Sequence, residues 1–223
     1  MSSIYAVLTG DIISSSTLSH KGKTVIVERI RNTHSELVEI FQLQEISRIS
    51  IYRGDGWQSA FSPAYKALRV AVYIRCCLKG LDNLKADSRI GIGVGPVIAL
   101  SSEKIETGDG AAFTLSGNSL DGLKKEKEIG IQIDSPNEIG KIALNATVVA
   151  ANHLVRGFTS SQATAVGHAL KGWSHQKIAD VWKGRTISRQ SVTKHLKSAG
   201  WDVLEEQIRA FEKIVSMLTR GND

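Results

Sequence analysis

The chain has 223 residues, 42% hydrophobic and 22% charged, an ordinary globular balance with room for one large or two small domains. No apolar run approaches the roughly 20 residues of a membrane span, and MSSIYAVLTGD lacks both a basic flank and a small-residue cleavage site. A cytoplasmic chain is expected. Charge is uneven: residues 1–150 are nearly neutral, whereas residues 151–223 carry 11 Lys and Arg against 6 Asp and Glu.

Residues 4–9 (IYAVLT) are almost continuously apolar, as in a strand buried on both faces, and end at Gly10-Asp11 before the serine-rich loop Ser14–Ser16. Val27, Ile30, Leu37, Ile40 and Phe41 recur at helical spacing across 23–42. Two β-rich runs, 46–53 and 57–61, flank Gly54-Asp55-Gly56 and predict a hairpin. Ser62-Pro63 opens a helix to about residue 84, with Pro at its first position. The cysteines, Cys76 and Cys77, are neighbours within it; their directions differ by about 100°, so they read as core thiols.

A second strand pair is expected over 88–94 and 96–100, turning at Gly95-Pro96. A helix over 111–127, a strand over 129–133 and a helix over 138–154 follow. The order β-α-β-β-α-β-β-α-β describes an α+β sandwich on a ferredoxin-like core. Beyond residue 158 only helices are predicted: 160–170, 175–182, 188–198 and 203–218. The last carries Leu204, Ile208, Phe211, Val215 and Leu218 on one face, suited to a dimer seam or to its own core. The boundaries expected are 1–135, a connecting helix over 136–157, and 158–223.

The tail stretch TSSQATAVGHALKGWSHQKIADVWKGRTISRQSVTKHLKSAG resembles the helix-turn-helix of sigma-factor region 4 and LuxR-type regulators. Small Ala179 permits a close helix crossing, Ile178, Val192 and Leu196 fill the shared core, and Ser188 caps the third helix. Arg189, Gln190, Thr193, Lys194 and Lys197 are then left facing outward. A recognition helix offers such positions to double-stranded DNA, Arg and Gln reading bases and Lys meeting phosphate. A solvated basic face on a plain helical bundle is the competing reading.

In the first domain, Gly10-Asp11-Ile12-Ile13-Ser14-Ser15, Arg53-Gly54-Asp55-Gly56 and Arg89-Ile90-Gly91-Ile92-Gly93-Val94-Gly95-Pro96-Val97 occur in that order. Together they resemble the class III nucleotidyl cyclases, and more closely the SatD-like bacterial proteins with a reduced form of that domain. The resemblance implies that Asp11 and Asp55 hold Mg²⁺ or Mn²⁺ with help from the Ile12 carbonyl, and that two chains dimerise. The Ser14 and Ser15 loop and Arg53 are candidates to meet the phosphates of a nucleotide. A plain turn at Asp55-Gly56 and a locally satisfied strand end at Asp11 account for the same residues. Gly91-x-Gly93-x-Gly95 opens no helix and reads as hairpin geometry rather than a dinucleotide fingerprint.

Three departures from the cyclases bear on activity. Ile51 stands where their purine-reading Lys would be, and Ala112 and Ser116 stand where an Asn and an Arg would steady the transition state. Lys124, Lys125 and Arg53 are the nearby cations that remain. The expectation is therefore a DNA-binding protein, of the transcription-regulator kind, whose cyclase-like domain binds metal and nucleotide and dimerises. The alternative is a nucleotidyl cyclase or related nucleotide-processing enzyme localised by its helix-turn-helix.

Overall fold

The first strand, β1 (Ile4–Ile12), lies in the middle of a five-stranded sheet ordered β2-β3-β1-β4-β5. The others are β2 (Ser50–Tyr52), β3 (Gly56–Phe61), β4 (Ser88–Pro96) and β5 (Ile129–Ile133). Neighbours of β1 run antiparallel to it, and β5 runs parallel to β4. The computed structural model describes residues 4–220 except 45, 46, 48, 53, 83, 99–107, 124–126 and 185.

Alternation along β1 sorts its side chains onto two faces. Ala6, Leu8 and Ile12 join the main hydrophobic core, to which α1 (His20–Phe41) and α2 (Ala67–Lys79) contribute. Val7 packs with Ala60 and Ala112 under α3 (Ala111–Asp121) on the opposite face. Helix α1 is capped by Ser19, whose side chain accepts the Gly22 N–H, and buries Ile26, Ile30, Leu37 and Phe41. Helix α2 follows a 3₁₀ turn at Ala64–Lys66 rather than beginning directly at Pro63.

Helix α2 is buried on nearly every side, because the sheet and α1 cover one flank and C-terminal helices cover the other. The covering helices are α4 (Glu138–Arg156), α5 (Ser160–Leu170) and α8 (Trp201–Arg220), while α6 (His175–Asp180) and α7 (Arg189–Ser198) pack against α5. Leu144, Val166, Ile178, Leu196, Ile208 and Phe211 belong to the same contiguous core as Leu8 and Trp57. The expected separate all-α domain thus shares its core with the sheet. Polar ties cross the same junction. The fully buried Arg75 guanidinium grips Asp87 at 2.8 and 2.7 Å and donates to Asn152 of α4 at 3.0 Å. Arg69 of α2 bonds Glu212 at 2.7 Å and Glu205 at 3.2 Å on α8.

The expected turn at Gly95-Pro96 does not form. Strand β4 continues through both residues, pairing Gly95 with Tyr5 and Pro96 with Ile4; residues 99–100 of the expected return strand lie outside the described residues. Nor is Gly91-x-Gly93-x-Gly95 a hairpin feature. A Cβ on Gly91 would stand 2.2 Å from the Ser116 carbonyl oxygen, and one on Gly93 would stand 2.1 Å from that of Ala112. The glycines let the backbone of α3 lie directly on β4. That helix ends at Asp121 rather than near residue 127.

Candidate functional site

Strand pairing brings Asp11 and Asp55 to one end of the sheet. Asp11 lies opposite Gly56 on one side and Arg89 on the other, and the Ile12 N–H donates to the Asp55 carbonyl at 3.1 Å. Gly10 is needed here because the buried Trp57 indole covers it: a Cβ would meet the ring at 2.4 Å. The indole N–H donates to the Ser88 hydroxyl at 2.9 Å, and that hydroxyl donates to the Asp11 carbonyl at 2.7 Å. The strand end is therefore held firmly.

The carboxylates have other partners. Asp11 is paired with Arg89, which donates through Nε at 2.9 Å and through Nη2. Asp55 accepts from the Ser15 hydroxyl at 2.6 Å. Ser14 adopts a left-handed backbone with φ of 56°, and its carbonyl accepts from Thr17. In this arrangement Arg89 supplies the positive charge at Asp11 that a cation would supply, so the side chains do not form a ready metal cradle. Among the described residues, no three His, Cys, Asp or Glu side chains gather in a way that could hold a metal. Arg53, Lys124 and Lys125 lie outside the described residues.

The positions that differ from the cyclases have structural roles. Ile51 pairs with Trp57 across β2 and β3 and packs against the main core. Ala112 and Ser116 are fully buried beneath α3, where their small size permits the close seat on β4. The hydroxyls of Ser116 and Thr9 bond to each other at 2.8 Å. An Asn or Arg at either place would separate helix from sheet.

The second candidate surface is α7. Ser188 caps it by accepting the Ser191 N–H at 3.1 Å, Val192 and Leu196 turn inward, and Arg189, Gln190, Thr193, Lys194 and Lys197 are exposed. Among the described residues, no carboxylate pairs with Arg189, Lys194 or Lys197. The Thr193 hydroxyl is already engaged, donating to the Arg189 carbonyl at 3.1 Å and lying 2.9 Å from His175 Nδ1. Helix α6 stops at Asp180 rather than Trp182, which leaves eight residues between α6 and α7. Trp182 leaves the helix to stack on His195, with ring centres 5.5 Å apart. His168 stacks likewise, on Trp173 with ring centres 4.9 Å apart.

The five-stranded sheet with helices on both faces makes this a mixed α+β protein, and solved structures similar to it include nucleotidyl cyclases. The guanylyl cyclase Cya2 is 17% identical, with a TM-score of 0.43 over 59% of this chain and 77% of its own. A bacterial light-regulated adenylyl cyclase is 17% identical, with a TM-score of 0.42 over 57% and 74%. An adenylate/guanylate cyclase/hydrolase from Silicibacter pomeroyi is 22% identical, with a TM-score of 0.39 over 56% and 72%. The chain belongs to the SatD family, whose profile matches residues 5–214. No curated protein matches it. No helix among the described residues is long and apolar enough to cross a membrane.

Proposed function

We propose that this SatD-family protein binds double-stranded DNA through α7, as a helix-turn-helix transcription regulator whose cyclase-like module binds a nucleotide and joins two chains. The observation that carries this reading is the outward face of α7. Arg189, Gln190, Lys194 and Lys197 stand exposed on a capped helix whose other side is fixed in the core. Such a helix meets the major groove with its N-terminal side chains. Fluorescence anisotropy against salt tests it. Affinity should fall steeply with salt, and Lys197→Ala should weaken all sequences alike and reduce the log–log slope by about one. Arg189→Ala should cost about 1–3 kcal/mol on a selected site alone. Affinity that is absent, or insensitive to salt, refutes the reading. Sedimentation at micromolar concentration should show the dimer.

A second reading stands nearer to the similar structures: a nucleotidyl cyclase or related nucleotide-processing enzyme localised by its C-terminal helices. Its support within this chain is the strand register that sets Asp11 beside the turn carrying Asp55. Mg²⁺ or Mn²⁺ is the cation the resemblance implies, and Arg89 is its competitor for Asp11. Calorimetry with Mn²⁺ should therefore show tighter binding in Arg89→Ala than in the unaltered chain. Chromatography of ATP and GTP incubations decides between the readings. Product that requires both Asp11 and Asp55 makes the protein an enzyme; the buried Ala112 and Ser116 argue for little or none.

A further inference from the structure

A cavity of about 760 Å³ opens between α1 and α2 on one side and α5, Trp173 and residues 181–184 on the other. Its volume lies within the range of small-molecule sites. It is remote in sequence from the Asp11 strand end and lies off the outward face of α7.

Its wall is charged, aromatic and incompletely satisfied. Glu36 is held by Arg29 at 2.8 Å, by the Tyr73 hydroxyl, and by Lys171 at 3.6 Å. Lys171 is only 12% exposed, and its ammonium lies over the Tyr73 and Trp173 rings at 5.4 and 5.0 Å. An ammonium has three donors, and a single carboxylate does not fill them. Beside it, Nδ1 of His168 is buried without a hydrogen-bond partner. Arg29, Lys171 and Lys183 outnumber Glu36 and Asp82 on the wall, which favours an anion, while Trp182 supplies flat apolar surface.

The geometry points to a binding site for a small anion carrying a planar ring, its anionic group at Lys171 and His168 and its ring against the Trp182 indole. Two sources share that chemistry, an aromatic carboxylate and a mononucleotide. A neutral imidazole suits the role, since it offers a hydrogen bond without placing a second buried charge beside Lys171.

Calorimetry of the full chain with salicylate against benzamide, and with AMP against adenosine, tests the site. The titrations are made in EDTA, where Asp11 and Asp55 have no cation with which to recruit a phosphate. At least one anion should bind tenfold or more tightly than its uncharged partner; the pair that does so names the source. Lys171→Met should weaken that binding at least tenfold. Thr164→Phe, which fills the cavity and keeps the lysine, should do the same. Where Lys171→Met fails to fold, Thr164→Phe decides. Absence of binding by both anions at millimolar concentration, equal affinity for charged and uncharged partners, or undiminished binding in the folded variants overturns the assignment.

Discussion

Single residues decide how closely the layers of this protein approach. Gly93 lies under the backbone of α3, so a methyl group there must push helix and strand apart. Gly93→Ala should destabilise the chain by about 1–3 kcal/mol, the usual cost of overpacking, seen as a lower midpoint in urea unfolding. Charge acts at the same scale. Burial, and then the Lys171 charge, lower the His168 pKa from 6.5 to about 4. Burial opposes ionisation of Glu36, but hydrogen bonds from Arg29 and Tyr73, with the charges of Arg29 and Lys171, bring it down to about 2. As pH falls through 6.5 the unfolded chain takes up the histidine proton first, so stability is lost down to about pH 4. Glu36 contributes fully above about 4.5, and its share is lost as pH falls toward 2. Thermal midpoints should decline across both windows in turn. In His168→Phe, which keeps a ring on Trp173, the decline between pH 6.5 and 4 should be shallower.

At the scale of elements, α8 shows where an apolar stripe is used. Leu204, Ile208, Phe211 and Val215 are all completely buried within the chain, so the near-heptad pattern closes its own core and leaves no free seam. Helix α8 packs on α4 and on the 3₁₀ turn before α2, while Glu205 and Glu212 hold Arg69. Phe211→Ala should therefore cost about 3–5 kcal/mol, as a buried aromatic truncation does. Because the core is shared, circular dichroism of the helices and fluorescence of the buried Trp57 should lose structure at one common midpoint. A loss confined to the helical signal would mean that α8 serves the tail alone.

For the whole molecule, the important surface is the junction between the sheet layer and the C-terminal helices. Arg75 is completely buried there and bonds across it to Asn152, and α2 is covered by α4, α5 and α8. A fragment ending at residue 135 would expose that side of α2 and leave Arg75 without Asn152. It should fail to fold, giving a collapsed species that binds ANS and lacks near-ultraviolet circular dichroism. Independent cooperative unfolding of that fragment would show instead that the boundary at 135–157 separates self-sufficient domains.

Much of this was legible in the sequence because it is local. The strand at 129–133, the helix at 160–170, the Ser188 cap and the inward Val192 and Leu196 follow from periodicity and capping alone. The nearness of Asp11 and Asp55 is what the family resemblance implies, and the register of β1 on β3 supplies it. What each charged group touches was not legible. Arg89 reaches Asp11 because β1 and β4 are neighbours, a pairing 78 residues apart in the chain. The glycine repeat in β4 reads as a turn because nothing in it announces α3, whose backbone is the reason for it. Likewise α2 carries charge only at Arg69, Arg75 and Lys79, yet which elements cover its two sides is decided by the tertiary fold. Local chemistry chose the elements; the layers' packing decided which carboxylate meets which cation and where a cavity remains.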